Sequence, residues 1–209
     1  AANSPLVGSG ENGTDIGALG VGCEEATGIQ SLWHVATTGS DETGDGSEEN
    51  PFATIQYGID NIPENDSLLI HVGTYQENLF FDKSLVLISE DLQNTIIDGN
   101  GSKAVTIDEN YVSVIFDNLT FKNGGNCSMD SEGGIISGNG AFSINNCLIL
   151  GTVYMHGGNN SSITNSTIYS TGCIYDAGYF YAAIYSCSEI SVENSIVVSE
   201  TGKPIDCDN

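Results

Sequence analysis

The chain has 209 residues, 39% of them hydrophobic, with 28 carboxylates against four lysines and a formal charge of −24. That balance excludes nucleic acid, whose phosphates need a cationic face, and disfavours anionic membrane surfaces. The apolar share supports a real core in one elongated domain, and no apolar run is long enough to span a bilayer, so membrane insertion is not expected. Charged residues make up only 15% of the chain, so the acidity comes from missing bases. It reads as a self-repelling secreted surface, or as one that binds Ca²⁺ or tolerates salt.

In chain order, residues 1–28 come first and read as extended chain. Short apolar pieces (Pro5, Leu6, Val7, then Ile16, Ala18, Leu19) alternate with Gly, Asn and Asp. The opening Ala-Ala-Asn looks like a mature chain after removal of a signal peptide, which places the protein outside the cell or on its surface. IQSLWHVATT (29–38) predicts a strand, and GSDETGDGSEEN (39–50) a polar loop. In 51–62, Asn50 as N-cap, Pro51 at the first helical position and Phe52, Ile55, Ile59 and Ile62 on one face predict a short amphipathic helix.

From Ser67 onward the pattern changes to brief strands, SLLIHV, NLFF, SLVLIS, NTIID, AVTID and VSVIFDNLTF, punctuated by Gly, Asn and Asp. IFDNLTF, SINNCLI, SITNSTI and SVENSIV align without gaps, with Asn118, Asn146, Asn165 and Asn194 at the same position, 28, 19 and 29 residues apart. Apolar residues stand two before and three after each Asn. A repeat of this length, with short strands and a recurrent Asn, marks a solenoid whose coils share one interior. The Asn sits at a bend and is expected to stack amide to amide on the next coil. The alternative is an antiparallel β-sandwich.

Six cysteines show no zinc spacing, so disulfides are expected. Of the fifteen pairings, the expected set is Cys127 with Cys147, Cys173 with Cys187, and Cys23 with Cys207. Eight Asn-x-Ser/Thr sites fall in a chain rich in those residues, where chance explains most.

HVATTGSDETGDGSEENPFATIQYGIDNI followed by DSLLIHVGTYQENL resembles the opening segment of secreted right-handed parallel β-helix proteins of the pectate-lyase-like superfamily. The resemblance covers residues 33–80 and implies an all-β, right-handed, single-stranded parallel β-helix over 29–209, its first coil capped by the helix 51–62. In many such proteins a segment similar to NSPLVGSG…TDIGALG follows the last coil and closes the chain; here it comes first. Three arrangements restore the usual order. Residues 1–28 could run back along their own solenoid, the chain could be a slice of a longer protein, or the segment could complement the last coil of a neighbouring subunit. The third repeats head to tail without closing and generates a filament. It is ranked first, with Asn3, Ser4, Pro5, Leu6, Val7, Asp15 and Ile16 meeting Pro204, Ile205 and Asp206, and with Cys23–Cys207 able to lock the joint.

The resemblance also bears on catalysis. Lyases of the superfamily use an Arg or Lys base with Ca²⁺, and its hydrolases use clustered Asp with Gly-His-Gly and Arg-x-Lys; this chain has no arginine and neither motif. The expectation is therefore a non-enzymatic extracellular structural protein whose partner is itself, with no cofactor beyond possible Ca²⁺. A carbohydrate-binding or carbohydrate-active protein with glycan partners, and an adhesin domain of a longer chain, are the alternatives. Among individual residues, Asp98, Asp108 and Asp117 could form an acid/base pair across coils or be solvated turn carboxylates. Asp41, Asp45, Glu48 and Glu49 could bind Ca²⁺, although their spacing is not that of an EF-hand. His34, His71 and His156 stand apart and read as structural, as do Tyr75 and Glu77. The aromatic stretch 173–187 could stack on sugars, contact another molecule or pack over the solenoid.

Overall fold

The computed structural model describes residues 31–107, 112–124, 136–138, 140–155, 160–170, 183–186, 190–200 and 204–207. Within them nineteen strands and one helix follow a three-beat order. The strands are β1 (Leu32–Val35), β2 (Ser67–Ile70), β3 (Gly73–Gln76), β4 (Leu79–Phe81), β5 (Leu85–Ser89), β6 (Thr95–Ser102) and β7 (Val105–Ile107). Next come β8 (Ser113–Asp117), β9 (Thr120–Gly124), β10 (Ile136–Gly138), β11 (Ala141–Asn145), β12 (Leu148–Leu150) and β13 (Val153–Met155). Then follow β14 (Ser161–Thr164), β15 (Thr167–Ser170), β16 (Ile184–Ser186), β17 (Ile190–Glu193), β18 (Ile196–Ser199) and β19 (Ile205–Cys207).

From β2 onward every third strand pairs in parallel, with β1 added beside β2, giving one sheet β1-β2-β5-β8-β11-β14-β17 and two others, β3-β6-β9-β12-β15-β18 and β4-β7-β10-β13-β16-β19. The fold is a right-handed parallel β-helix of six coils, as expected, and the sandwich is excluded because all registered strand pairs are parallel. Successive coils place Leu68, Leu87, Phe116, Ile144, Ile163 and Val192 over one another in the first sheet. In the second sheet Tyr75, Ile97, Phe121, Ile149, Ile168 and Val197 stack the same way. These inward files form a dry core, widened in the middle by edge-to-face contacts of Phe81 with Phe116 and of Phe116 with Phe121.

The bend between the first and second sheets explains the recurrent Asn. Asn118, Asn146, Asn165 and Asn194 have φ of 63°, 50°, 49° and 48°, the left-handed region that Asn tolerates better than other side chains. All eight non-glycine residues with positive φ among the described residues are Asn. The expected stack of amides is replaced by bonds to the preceding coil: Asn118 Nδ2 donates to Ser89 O at 2.8 Å and Asn146 Nδ2 to Asp117 Oδ1 at 2.9 Å. The next corner position faces inward as a file of Leu119, Cys147, Ser166 and Ser195, where Cys147 N–H donates to Ser166 Oγ and Ser166 N–H to Ser195 Oγ.

The helix differs from its predicted bounds. It is α1, Ile55–Asn61, and its N-cap is Thr54, whose Oγ1 accepts from Tyr57 N–H. Phe52 instead bridges Val35 in parallel, donating its N–H to His34 O and accepting from Ala36 N–H. The free edge of β1 claims Phe52 for a ladder before the helix begins.

Candidate functional site

The two ends of the stack are built differently, and the difference locates the site. At the first coil, α1 packs on β1, β2 and β4. Ile55 and Ile59 of the helix are buried, and so are Phe52 from its bridge to β1 and Ile62 at the C-cap. Gly58 lets the helix approach closely, since a Cβ there would stand 2.9 Å from Leu68. A seven-residue helix is too short to persist alone. Carboxylates and amides from the coil hold it: Glu77 accepts from Ile55 N–H and Gln56 N–H, both at 2.9 Å. Asp41 accepts from Ala53 N–H, Thr54 N–H and Thr54 Oγ1. At the other terminus Lys83 Nζ donates to Asp60 O and Ile62 O.

The first-coil edges are also occupied. Gln56 meets Phe80 of β4 reciprocally, its Oε1 accepting from the N–H and its Nε2 donating to the carbonyl, as a neighbouring strand would. Tyr75 OH donates to His71 O at 2.9 Å. Burial, with the Glu77 carboxylate nearby, pushes that phenol up to about 12. Burial likewise raises Glu77 above its ordinary value, against the two helix N–H bonds that favour its charge.

At the last coil the inward positions lose their cover. Ile163, Ile168 and Ile184 of the fifth coil are wholly buried, whereas Val192 and Val197 above the first two are only partly so and Ile205 above the third is 39% exposed. Beside them Ile196 is 62% and Val198 38% exposed on the outward face of β18. The sheets terminate at β17, β18 and β19, whose outer edges carry no further strand among the described residues. This end is an apolar cross-section rimmed by backbone donors and acceptors, suited to an extended segment that adds one more rung.

Of the residues expected at the joint, Pro204, Ile205 and Asp206 lie at this end, with Ile205 pointing along the inward file above Ile184. Asn3, Ser4, Pro5, Leu6, Val7, Asp15 and Ile16 fall outside the described residues, as do Cys23, Cys127, Cys173, Cys187, Asp108, His156 and the aromatic residues of 173–181.

Other expectations are corrected. Cys147 is a free thiol, so the Cys127–Cys147 bond is not formed: its sulfur faces the interior, near Asn145 O at 3.0 Å, and burial pushes it up to about 12. Asp41, Asp45, Glu48 and Glu49 do not converge on a cation. Asp41 is consumed by the helix start and Asp45 accepts from Ser47 N–H, while no group of three or more metal-ligating side chains occurs among the described residues. Asp98 and Asp117 sit on different sheets and form no acid/base pair. Asp98 is a structural carboxylate held by Asn100 N–H, Asn123 Nδ2 and, at 3.5 Å, Lys122 Nζ. Burial works against its charge, but these donors outweigh it and keep the carboxyl below its usual range. His34 and His71, far apart in sequence, meet at 3.1 Å.

Comparisons with known proteins are sparse. No family model matches the chain, and no curated protein matches it. Among solved structures it is similar to pectin methylesterase PemA from Erwinia chrysanthemi, with 17% identity and a TM-score of 0.47, over 80% of this chain. The chain spans 66% of that enzyme's length, just under two thirds. The finding corrects one expectation. A solved protein of similar architecture is an enzyme, so the missing lyase and glycosidase constellations do not make this chain non-enzymatic. No helix among the described residues is long and apolar enough to cross a membrane.

Proposed function

We propose that this chain is an extracellular β-helix subunit that assembles head to tail, the last coil of one molecule being completed by residues 1–28 of the next. The partly exposed last rung carries the reading. Inward aliphatic residues buried in every earlier coil are left half-covered there, and completing their burial contributes about 1 kcal/mol apiece. The length of the donor fits: Phe116, Ile144 and Ile163, stacked in successive coils, are 28 and 19 residues apart, so 28 residues make one coil. Its composition fits as well, with Leu6, Val7, Ile16 and Leu19 spaced by the Gly, Asn and Asp that form the corners elsewhere. At the other end α1 and the Phe52 bridge already stand over β1.

Sedimentation and negative-stain microscopy of the full chain across a concentration series test this. Linear particles that lengthen with concentration are expected, and deletion of residues 1–28 should leave a folded, discrete particle. A synthetic peptide of residues 1–28 should bind the deleted form and cap growth of the full one. Discrete particles of the full chain at high concentration would overturn the reading.

A further inference from the structure

We propose that His34 and His71 form an acid-sensitive latch on the first coil. Nδ1 of His34 lies 3.1 Å from Nε2 of His71, the ring planes are 21° apart and the centroids 5.3 Å apart. That separation is nearly the nitrogen–nitrogen distance plus two ring radii, so the imidazoles lie edge to edge and one N–H points along the line between them. The lone pairs share that line, a geometry that holds one proton and does not converge on a metal. With one proton between the rings the bond is made, and with both facing nitrogens protonated two N–H groups and two positive charges oppose each other.

The latch joins two parts of the capped end. His34 is buried on β1, where its N–H donates to Gly46 O of the loop 39–50 and its carbonyl accepts from Phe52 N–H. His71 follows β2, donates its N–H to Val35 O and accepts from Tyr75 OH through its carbonyl. Carboxylates that could neutralise a second proton are committed elsewhere. Asp45 in the loop accepts from Ser47, Asp41 from Ala53 and Thr54, Glu77 beyond β3 from Ile55 and Gln56, and Asp66 before β2 from Trp33 Nε1 and Ser31 N–H. Glu42, Glu48 and Glu49 are exposed on the loop. Doubly protonated, the pair pushes β1 and its loop away from the turn after β2.

Trp33, the chain's single tryptophan, adjoins His34 and stacks on Phe52 at 6.2 Å, so its emission reports the latch. The full chain is titrated from pH 8 to pH 5, the range in which imidazole ordinarily changes charge, beside His34→Asn and His71→Gln. These amides can reach the same positions and do not titrate. The native chain is expected to show a red shift of Trp33 and a fall in Tm larger by about 4 °C than in either variant. Equal falls in all three overturn the proposal, as does a rise in Tm with added zinc that both variants lose, which would indicate a chelate. Should the variants fail to fold, ¹⁵N imidazole spectra of the native chain decide. A scalar coupling across the His34 Nδ1–His71 Nε2 bond is expected at pH 8 and lost at pH 5, and its absence at pH 8 or its persistence at pH 5 overturns it.

Discussion

The first and last coils share a strand order and inward spacing, yet among the described residues one is sealed and the other is not. Above β1 the sequence spends some thirty residues on a bridge at Phe52, a helix and two carboxylate clamps, and the core beneath is dry: Val35, Ile55 and Ile59 have no exposed surface. Above β17 and β18 the same inward positions, Val192 and Val197, are left half-covered. A parallel solenoid has no intrinsic way to stop, because each rung satisfies its neighbour and the last has none. Termination is a separate structural task, and here the described residues complete it at one end.

Substitutions that treat the two ends alike should give unequal answers, and the widest gap is in the cores. Ile59→Ala beneath the cap is expected to cost about 3 kcal/mol in urea unfolding, and Val197→Ala at the open end under about 1 kcal/mol. Equal costs would mean that the last rung is covered in solution. Glu77→Ala, which strands two helix N–H groups, should cost about 2 kcal/mol.

The clamp also has a pH signature. The folded value of Glu77 is raised above the ordinary 4.5, so between the two values the folded state binds the extra proton and stability falls as pH rises. Glu77→Gln removes that slope. Asp98, which belongs to neither end, has the opposite sign: its folded value is lowered. The stability it contributes is present above 3.8 and lost as pH falls through the folded value. Asp98→Asn should therefore be less stable than the native chain near neutrality, by a margin that shrinks in acid. The smallest effect is at Cys147, where iodoacetamide should leave the folded thiol unmodified at pH 8 and label it on unfolding. Rapid labelling of the native chain would mean that the corner file opens.

The repeat was legible because one Asn in each of the last four coils, with fixed apolar flanks, reflects a single backbone requirement met again and again. PFATIQ and GTYQEN were legible as a capping unit, but not how they act. Nothing local in the sequence shows that Phe52 leaves the helix to pair with β1, or that Glu77 reaches back across twenty-two residues to Ile55. Asp41 read as a cation ligand because acidic loops and helix-start clamps have the same composition; only the register separates them. The inward direction of Cys147 follows from its place after Asn146, a signal present in the alignment of the four repeats. The His34–His71 pair depends on β1 and β2 lying side by side and left no trace in spacing.

The corner after the first sheet holds two residues in each of the last four coils, from Asp117 to Thr120, Asn145 to Leu148, Thr164 to Thr167 and Glu193 to Ile196. The passage from second to third sheet varies freely, from Leu150–Val153 to Ser170–Ile184. One extra residue beside Asn146 would turn Ile149 outward and scramble every later rung. The same residue added between Ser170 and Ile184 would lengthen a connection that already spans thirteen residues. That second corner is where foreign peptides could be grafted for display, and where natural variants of this scaffold should differ most in length.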